Sequence, residues 1–261
     1  MDSLFALPFF AGLPLALILP LVGLFLRLRD EWLATLGLAH LAGAGALAGM
    51  AAAWPPIAGA LFGALGGGAL KHWAGGLGNS SYGLMILAGW AMTLLVAANT
   101  ALGEALGHAL VDGQLFFAGG LEAAVAAVCL AVGLPLLRWL APRLIAARFF
   151  PEREKANHLP AWRWHLGFDL MAAALIAAGA ATLGLMASFA LVFVPAWLAF
   201  RCAPDWHRAQ GWAAGLGAAG YGLAFALALV LDQPFGPVVV AVLVLFFVLS
   251  ALTCRPASAD F

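Results

Sequence analysis

The chain has 261 residues, of which 65% are hydrophobic and only 9% charged, with a formal net charge of zero. A soluble domain needs far more polar surface, and a mean hydropathy of +1.02 belongs to a polytopic membrane protein. Zero net charge leaves no electrostatic footprint for nucleic acid, and the continuous Leu/Ala-rich runs exclude the alternation of a transmembrane β-barrel.

Apolar runs between polar breaks give nine segments: 4–26, 33–53, 56–70, 82–98, 115–137, 167–183, 184–200, 212–231 and 235–253. The expected fold is an all-α transmembrane bundle, a single domain over 1–261 with eight or nine membrane segments. The third, sixth and seventh runs are short, which predicts tilted, re-entrant or internally packed helices. The first run is too long for a signal-peptide core and reads as the first crossing. Residues 167–200 would extend about 51 Å as one helix, against a hydrocarbon core of about 30 Å. They therefore predict an up-and-back pair turning at Leu183-Gly184.

With the N-terminus outside, the inner breaks carry Arg27 and Arg29, then Lys71, then Arg138, Arg143, Arg148, Arg153, Lys155 and Arg163, then Arg201 and Arg208, and finally Arg255. That places all twelve basic residues inside, as the insertion bias requires. The polar stretch 138–166 holds half of them and is expected as a large cytoplasmic loop that offers a docking surface. The outer breaks carry Glu104, Asp112 and Asp232, an acidic face that would concentrate cations.

Several residues stand out against the apolar background. His40 lies well within the second run, where an ionisable group is costly and marks a functional site by default. Glu104, His108 and Asp112 are spaced four apart, so on a helix they share a face, with ligand types suited to zinc or manganese. Asp169 follows His165 by four residues at the inner end of the sixth run, as an exit-lining pair or a hydrogen-bonded interfacial pair. Glu122 is an outer acid with no partner visible in the sequence. Glycines spaced three and four apart in the second, third and eighth runs predict close helix contacts. No GxxxxGK[ST], HExxH or GxSxG is present, so no nucleotide-binding loop or catalytic constellation marks the chain as an enzyme.

Taken in order, several stretches resemble the permease subunits of zinc/manganese ABC importers. LGLMASFALVFVPAWLAFR resembles that family's signature span, with Gly184, Pro195, Ala196, Ala199 and Arg201 in the matching places. Phe150-Pro151-Glu152 resembles the opening of its ATPase-coupling segment, and Asp232-Gln233-Pro234-Phe235-Gly236-Pro237 its outer Asp-x-Pro-x-Gly-Pro turn. Arginines after the first run, then His40 and a glycine-rich helix, fit its opening. The chain departs from the pattern in several places: Leu36 stands where relatives carry aspartate, 82–98 lacks their histidine, and Glu154 and His158 stand where small Ala and Gly are usual. The cluster at Glu104, His108 and Asp112 is the candidate substitute.

The resemblance implies import of a divalent transition metal, zinc first and manganese second, by alternating access across a bacterial cytoplasmic (inner) membrane. It implies a permease homodimer, an ABC ATPase subunit docked through Pro151, Glu152, Arg153 and Glu154, and an extracytoplasmic metal-binding protein. His40 and Asp169 would lie on the ion path. Zn2+ or Mn2+ would be cargo, with no permanently bound cofactor and no nucleic acid. An ATPase-independent secondary transporter and a non-transporting membrane scaffold are the alternatives.

Overall fold

The computed structural model describes residues 3–74, 79–100, 115–157 and 160–253, which hold ten α-helices and a 3-10 turn at Leu115–Phe117. The helices are α1 (Ser3–Leu28), α2 (Ala34–Ala51), α3 (Pro56–Ala74), α4 (Asn79–Asn99), α5 (Gly120–Phe149), α6 (Pro151–Ala156), α7 (Ala161–Thr182), α8 (Leu185–Cys202), α9 (Trp206–Leu231) and α10 (Phe235–Thr253). Every long helix falls on one of the nine apolar runs. In hydrocarbon the backbone must satisfy its own polar groups, and for uninterrupted Leu/Ala sequence the helix does so. Seven of them, α1, α2, α4, α5, α7, α8 and α9, are long and apolar enough to cross a membrane. Helix α3 is diluted by glycine and ends in Lys71 and His72, while α10 is apolar throughout but short.

Helix α1 runs through the middle, packing against α5, α7, α8 and α9, while α2 packs on α3, α4, α7 and α8. The core is continuous from Leu15, Ile18 and Leu19 of α1 to Ala172, Ile176 and Ala177 of α7. Glycine sets a close crossing between α2 and α3. A Cβ at Gly45 would collide with the Gly59 carbonyl oxygen, and one at Gly59 with the Gly45 carbonyl oxygen. No side chain fits between these backbones, which is the small-residue contact that replaces a hydrophobic drive in lipid.

The hairpin turn is where the sequence places it. Helix α7 stops at Thr182, Gly184 takes φ 96°, and α8 begins at Leu185. That backbone region carries a steric penalty for every residue with a Cβ, so glycine is required. On the outer side Asp232 ends α9 in the left-handed conformation at φ 51°, and Gln233 N–H returns to the Ala228 carbonyl at 3.0 Å. Phe235, buried at the start of α10, packs edge-on against Tyr221.

Two expectations change. Among the described residues two of the three short runs lengthen, α3 and α7 spanning 19 and 22 residues, while α8, at 18, keeps close to the length of its run. Helix α7 gains its length by starting at Ala161, six positions before the apolar run, taking up Arg163 and His165. Nor is 138–166 a loop: α5 continues through Pro142 to Phe149, α6 follows, and α7 begins. Basic residues are good helix formers, and here Arg143 and Arg163 find aromatic partners nearby. Arg143 stacks 4.1 Å from the Trp139 ring and donates from Nη1 to the Trp139 carbonyl at 2.6 Å.

Candidate functional site

The polar centre of the bundle lies at its inner end and starts from the turn after α1. Asp30 takes φ 59°, and Glu31 N–H reaches back to the Leu26 carbonyl at 2.8 Å. This Schellman-type closure sets Arg29 and Glu31 side by side facing α3 and α7. Asn79, at the start of α4, donates to the Asp30 carbonyl at 3.1 Å and ties that helix to the same turn.

Four charges converge there. Asp169 of α7, only 5% exposed, lies 2.9 Å from Arg29 Nη1 and 3.0 Å from Lys71 Nζ. Lys71 also reaches Glu31 at 2.8 Å, and Arg29 Nη2 approaches Glu31 at 3.2 Å. The Arg29 Nη1–Asp169 approach is short but poorly aligned, a charge contact rather than a directed hydrogen bond. Tyr82 of α4 donates to Glu31 at 3.4 Å, and the Arg29 guanidinium stacks over Phe168 at 5.0 Å. The cluster is neutral and largely dehydrated, and it joins α1, α3, α4 and α7.

His40 sits apart from it on α2, 7% exposed and about 9 Å along the helix from its inner end. Its Nδ1 lies 2.8 Å from the Leu36 carbonyl oxygen. A carbonyl only accepts, so Nδ1 carries the proton and Nε2 keeps the lone pair a metal would use. The Trp90 ring packs 5.8 Å away, and Gly89 lies against the His40 backbone, too close for any Cβ. Among the described residues no three His, Cys, Asp or Glu side chains are grouped to hold a metal.

The third feature is the coupling end. Helix α6 projects from the inner end of α5 with Pro151, Glu152 and Arg153 exposed. Glu154 turns back to α7, accepting from Trp164 Nε1 at 3.3 Å and facing His165 Nε2 at 3.5 Å. His165 and Asp169, adjacent in the sequence reading, thus bind different partners on one helix face.

A family model described as the ABC 3 transport family matches residues 1–254. The chain belongs to that family and is a metal-importer permease. No curated protein matches it in a sequence comparison. The permease shares its fold with PsaBC from Streptococcus pneumoniae, solved in complex with Fab, at a TM-score of 0.82 and 16% identity. That match covers 96% of the permease and 91% of the other chain.

The remaining sequence candidates fall as follows. Glu104, His108 and Asp112 lie outside the described residues. Gly184, Asp232 and Pro234 belong to the two turns, and Gly236 and Pro237 to the first turn of α10. Pro195 is buried within α8, whose helix it interrupts by one backbone donor. Asp232 and Pro234 rim an outer cavity of about 800 Å³ together with Phe5, Pro8, Phe117 and Leu229. Glu122, partnerless in the sequence, accepts from the Gly119 amide at 2.8 Å and caps α5. Sequence reasoning used Arg29 and Lys71 only as topology markers and passed over Glu31 and Tyr82. The available signal was Asp169 itself: a buried carboxylate in a membrane helix requires cations, and the nearest inner ones are Arg29 and Lys71.

Proposed function

We propose that this permease imports a divalent transition metal, zinc first and manganese second, across a bacterial cytoplasmic membrane. In this reading it works as a homodimer, with ABC ATPase subunits on its inner face and an extracytoplasmic binding protein delivering the ion outside. Family membership over residues 1–254 supports import, and His40 is the observation that favours a transition metal. Its imidazole is buried, its tautomer is fixed by the Leu36 carbonyl, and its free Nε2 is a borderline-soft donor suited to zinc. One such ligand holds an ion transiently, which suits a path better than a store. Glu104, His108 and Asp112 are proposed as the outer entry ligands. The acidic outer break would raise the local cation concentration.

Helix α6 would receive the ATPase. Closure of the ATPase pair would displace α6 and α7 together, and the bundle would pass between outward- and inward-open states by differential binding. The test is uptake of labelled zinc into chelator-starved cells lacking their own importer. These express the chain with its candidate ATPase and binding protein, beside an ATPase-dead control. Uptake that needs both chain and active ATPase is the expected result, with manganese competition ranking the metals. Uptake indifferent to the ATPase would favour the secondary-transporter reading, and none of either metal by an assembled complex would remove the metal assignment.

A further inference from the structure

We propose that Arg29, Glu31, Lys71 and Asp169 form the inner gate of the permease, shut by their mutual ion pairs and operated from the coupling helix through Glu154. The proposal rests on the importer reading for its cargo, but not for its mechanics.

Energetics argue that the cluster is built to open. A fully paired, buried charge group contributes little net stability, and apolar residues of similar volume commonly do as well or better. The surrounding contact between α3 and α7 is already smooth and apolar, with Gly68 facing Ala173. A seam meant to stay shut would gain most from continuing that surface. A charged seam behaves differently when it parts. Each apolar Å² exposed costs about 25 cal/mol, whereas separated carboxylates, ammonium and guanidinium recover their hydration. Paired-and-buried and parted-and-wet are therefore close in free energy, as a two-state element requires.

Electrostatics argue that the cluster bars a cation. Asp169 and Glu31 are the carboxylates that would attract a dication at the inner end, and each is already faced by both Arg29 and Lys71 at 2.8 to 3.2 Å. A metal arriving from His40 meets two fixed positive charges and no unneutralised carboxylate. Parting α3 from α7 withdraws Lys71 and leaves Asp169 faced by Arg29 alone, with Oδ2 freed as a transient ligand on the exit side. Lys71 thus acts as a built-in surrogate for the cargo.

Connectivity links the cluster to the coupling end. Glu154 holds α7 at Trp164 and His165, and Asp169 follows His165 by one helical turn on the same face. A pull on α6 is delivered to α7 beside the ion pairs. The proposal requires α7 to be one rigid element with two arrangements, and a nucleotide-dependent change at the seam is what demonstrates the second.

The test uses the permease with its ATPase in liposomes and reads Gly68→Cys. A Cβ there sits 3.5 Å from the Ala173 Cβ and the Asp169 carbonyl oxygen, ordinary contact distances, so the added β-carbon is accommodated while the seam is shut. Reaction with a membrane-impermeant maleimide from the inner side is measured above the same chain without the substitution. The rate is expected to differ about tenfold between nucleotide-free and ATP-trapped complex. Asp169→Asn should bring both states to the faster rate, and Glu154→Gln should leave the slow rate unchanged by nucleotide. If Asp169→Asn does not copurify with the ATPase, Glu31→Gln carries the same criterion. Protection that ignores nucleotide in the parent, or persists in an assembled lock variant, overturns the gate. Zinc uptake by the same liposomes separates the two readings. Import with Gly68→Cys always protected keeps the importer and removes the gate, while nucleotide-dependent labelling without import keeps the gate and removes the metal.

Discussion

A histidine with one nitrogen already committed has a single lone pair to offer, and at position 40 that lone pair belongs to Nε2. His40→Ala removes the donor without leaving an unpaired buried charge, and the Leu36 carbonyl remains inside its own helix ladder. We expect at least about a tenfold loss of metal uptake with normal assembly, in line with the losses seen when a ligand or its support is removed. Equal losses of uptake and of copurified ATPase would instead make His40 a packing residue. Gly184 obeys backbone rather than ligand chemistry. At φ 96° a Cβ is strained, so Gly184→Ala should cost about 1–2 kcal/mol, read as a lowered Tm in detergent. Gly184 was legible in the sequence because the apolar stretch was too long for one crossing. Arg29 and Lys71 were not, because their partner Asp169 lies 98 positions from Lys71 and only tertiary packing unites them.

At the scale of elements, two seams carry most of the specificity. Between α2 and α3 the backbones touch at Gly45 and Gly59, so Gly45→Ala must push the helices apart. Overpacking of this kind costs about 1–3 kcal/mol, and we expect the variant to aggregate at lower temperature in a detergent melt while Gly66→Ala, with open space around it, does not. The other seam is α6. Glu152→Lys with Arg153→Glu reverses the charge order on its exposed face and should abolish copurification of the ATPase; normal recovery of the complex would sink the docking assignment. Helix existence was readable throughout, since nine apolar runs became nine long helices. Helix ends were not. The stretch 138–166 looked like a loop because hydropathy registers the arginines and misses their local partners, such as Trp139 for Arg143. Helix α5 therefore extends twelve residues past the last position the apolar pattern marked, from 137 to Phe149.

At the scale of the whole molecule, every functional statement depends on which end of the bundle faces the cytoplasm. The inner end is the one that gathers Arg29, Lys71, the α5–α6 corner, Arg201 and Arg208, and insertion keeps such residues on the cytoplasmic side. If the nine long helices among the described residues all cross, with the first entering from outside, the end of α10 lies in the cytoplasm. A fluorescent protein that matures only in the cytoplasm, fused after Thr253, should therefore glow, and a reporter active only outside should work when inserted after Thr100. With the same start, an eight-crossing arrangement reverses the result at Thr253, and it reverses both results if the missing crossing is α3. If α3, with its glycine-diluted sequence, failed to cross, the α1–α2 turn and Lys71 would face opposite sides and Lys71 could not reach Glu31. The ion pairs at 2.8 and 3.0 Å that Lys71 makes to Glu31 and Asp169 thus require α3 to cross and return its C-terminal end to the level of the α1–α2 turn. A silent fusion after Thr253, or an inactive reporter after Thr100, would break that chain at its first link, and with it the placing of the charge cluster on the exit side.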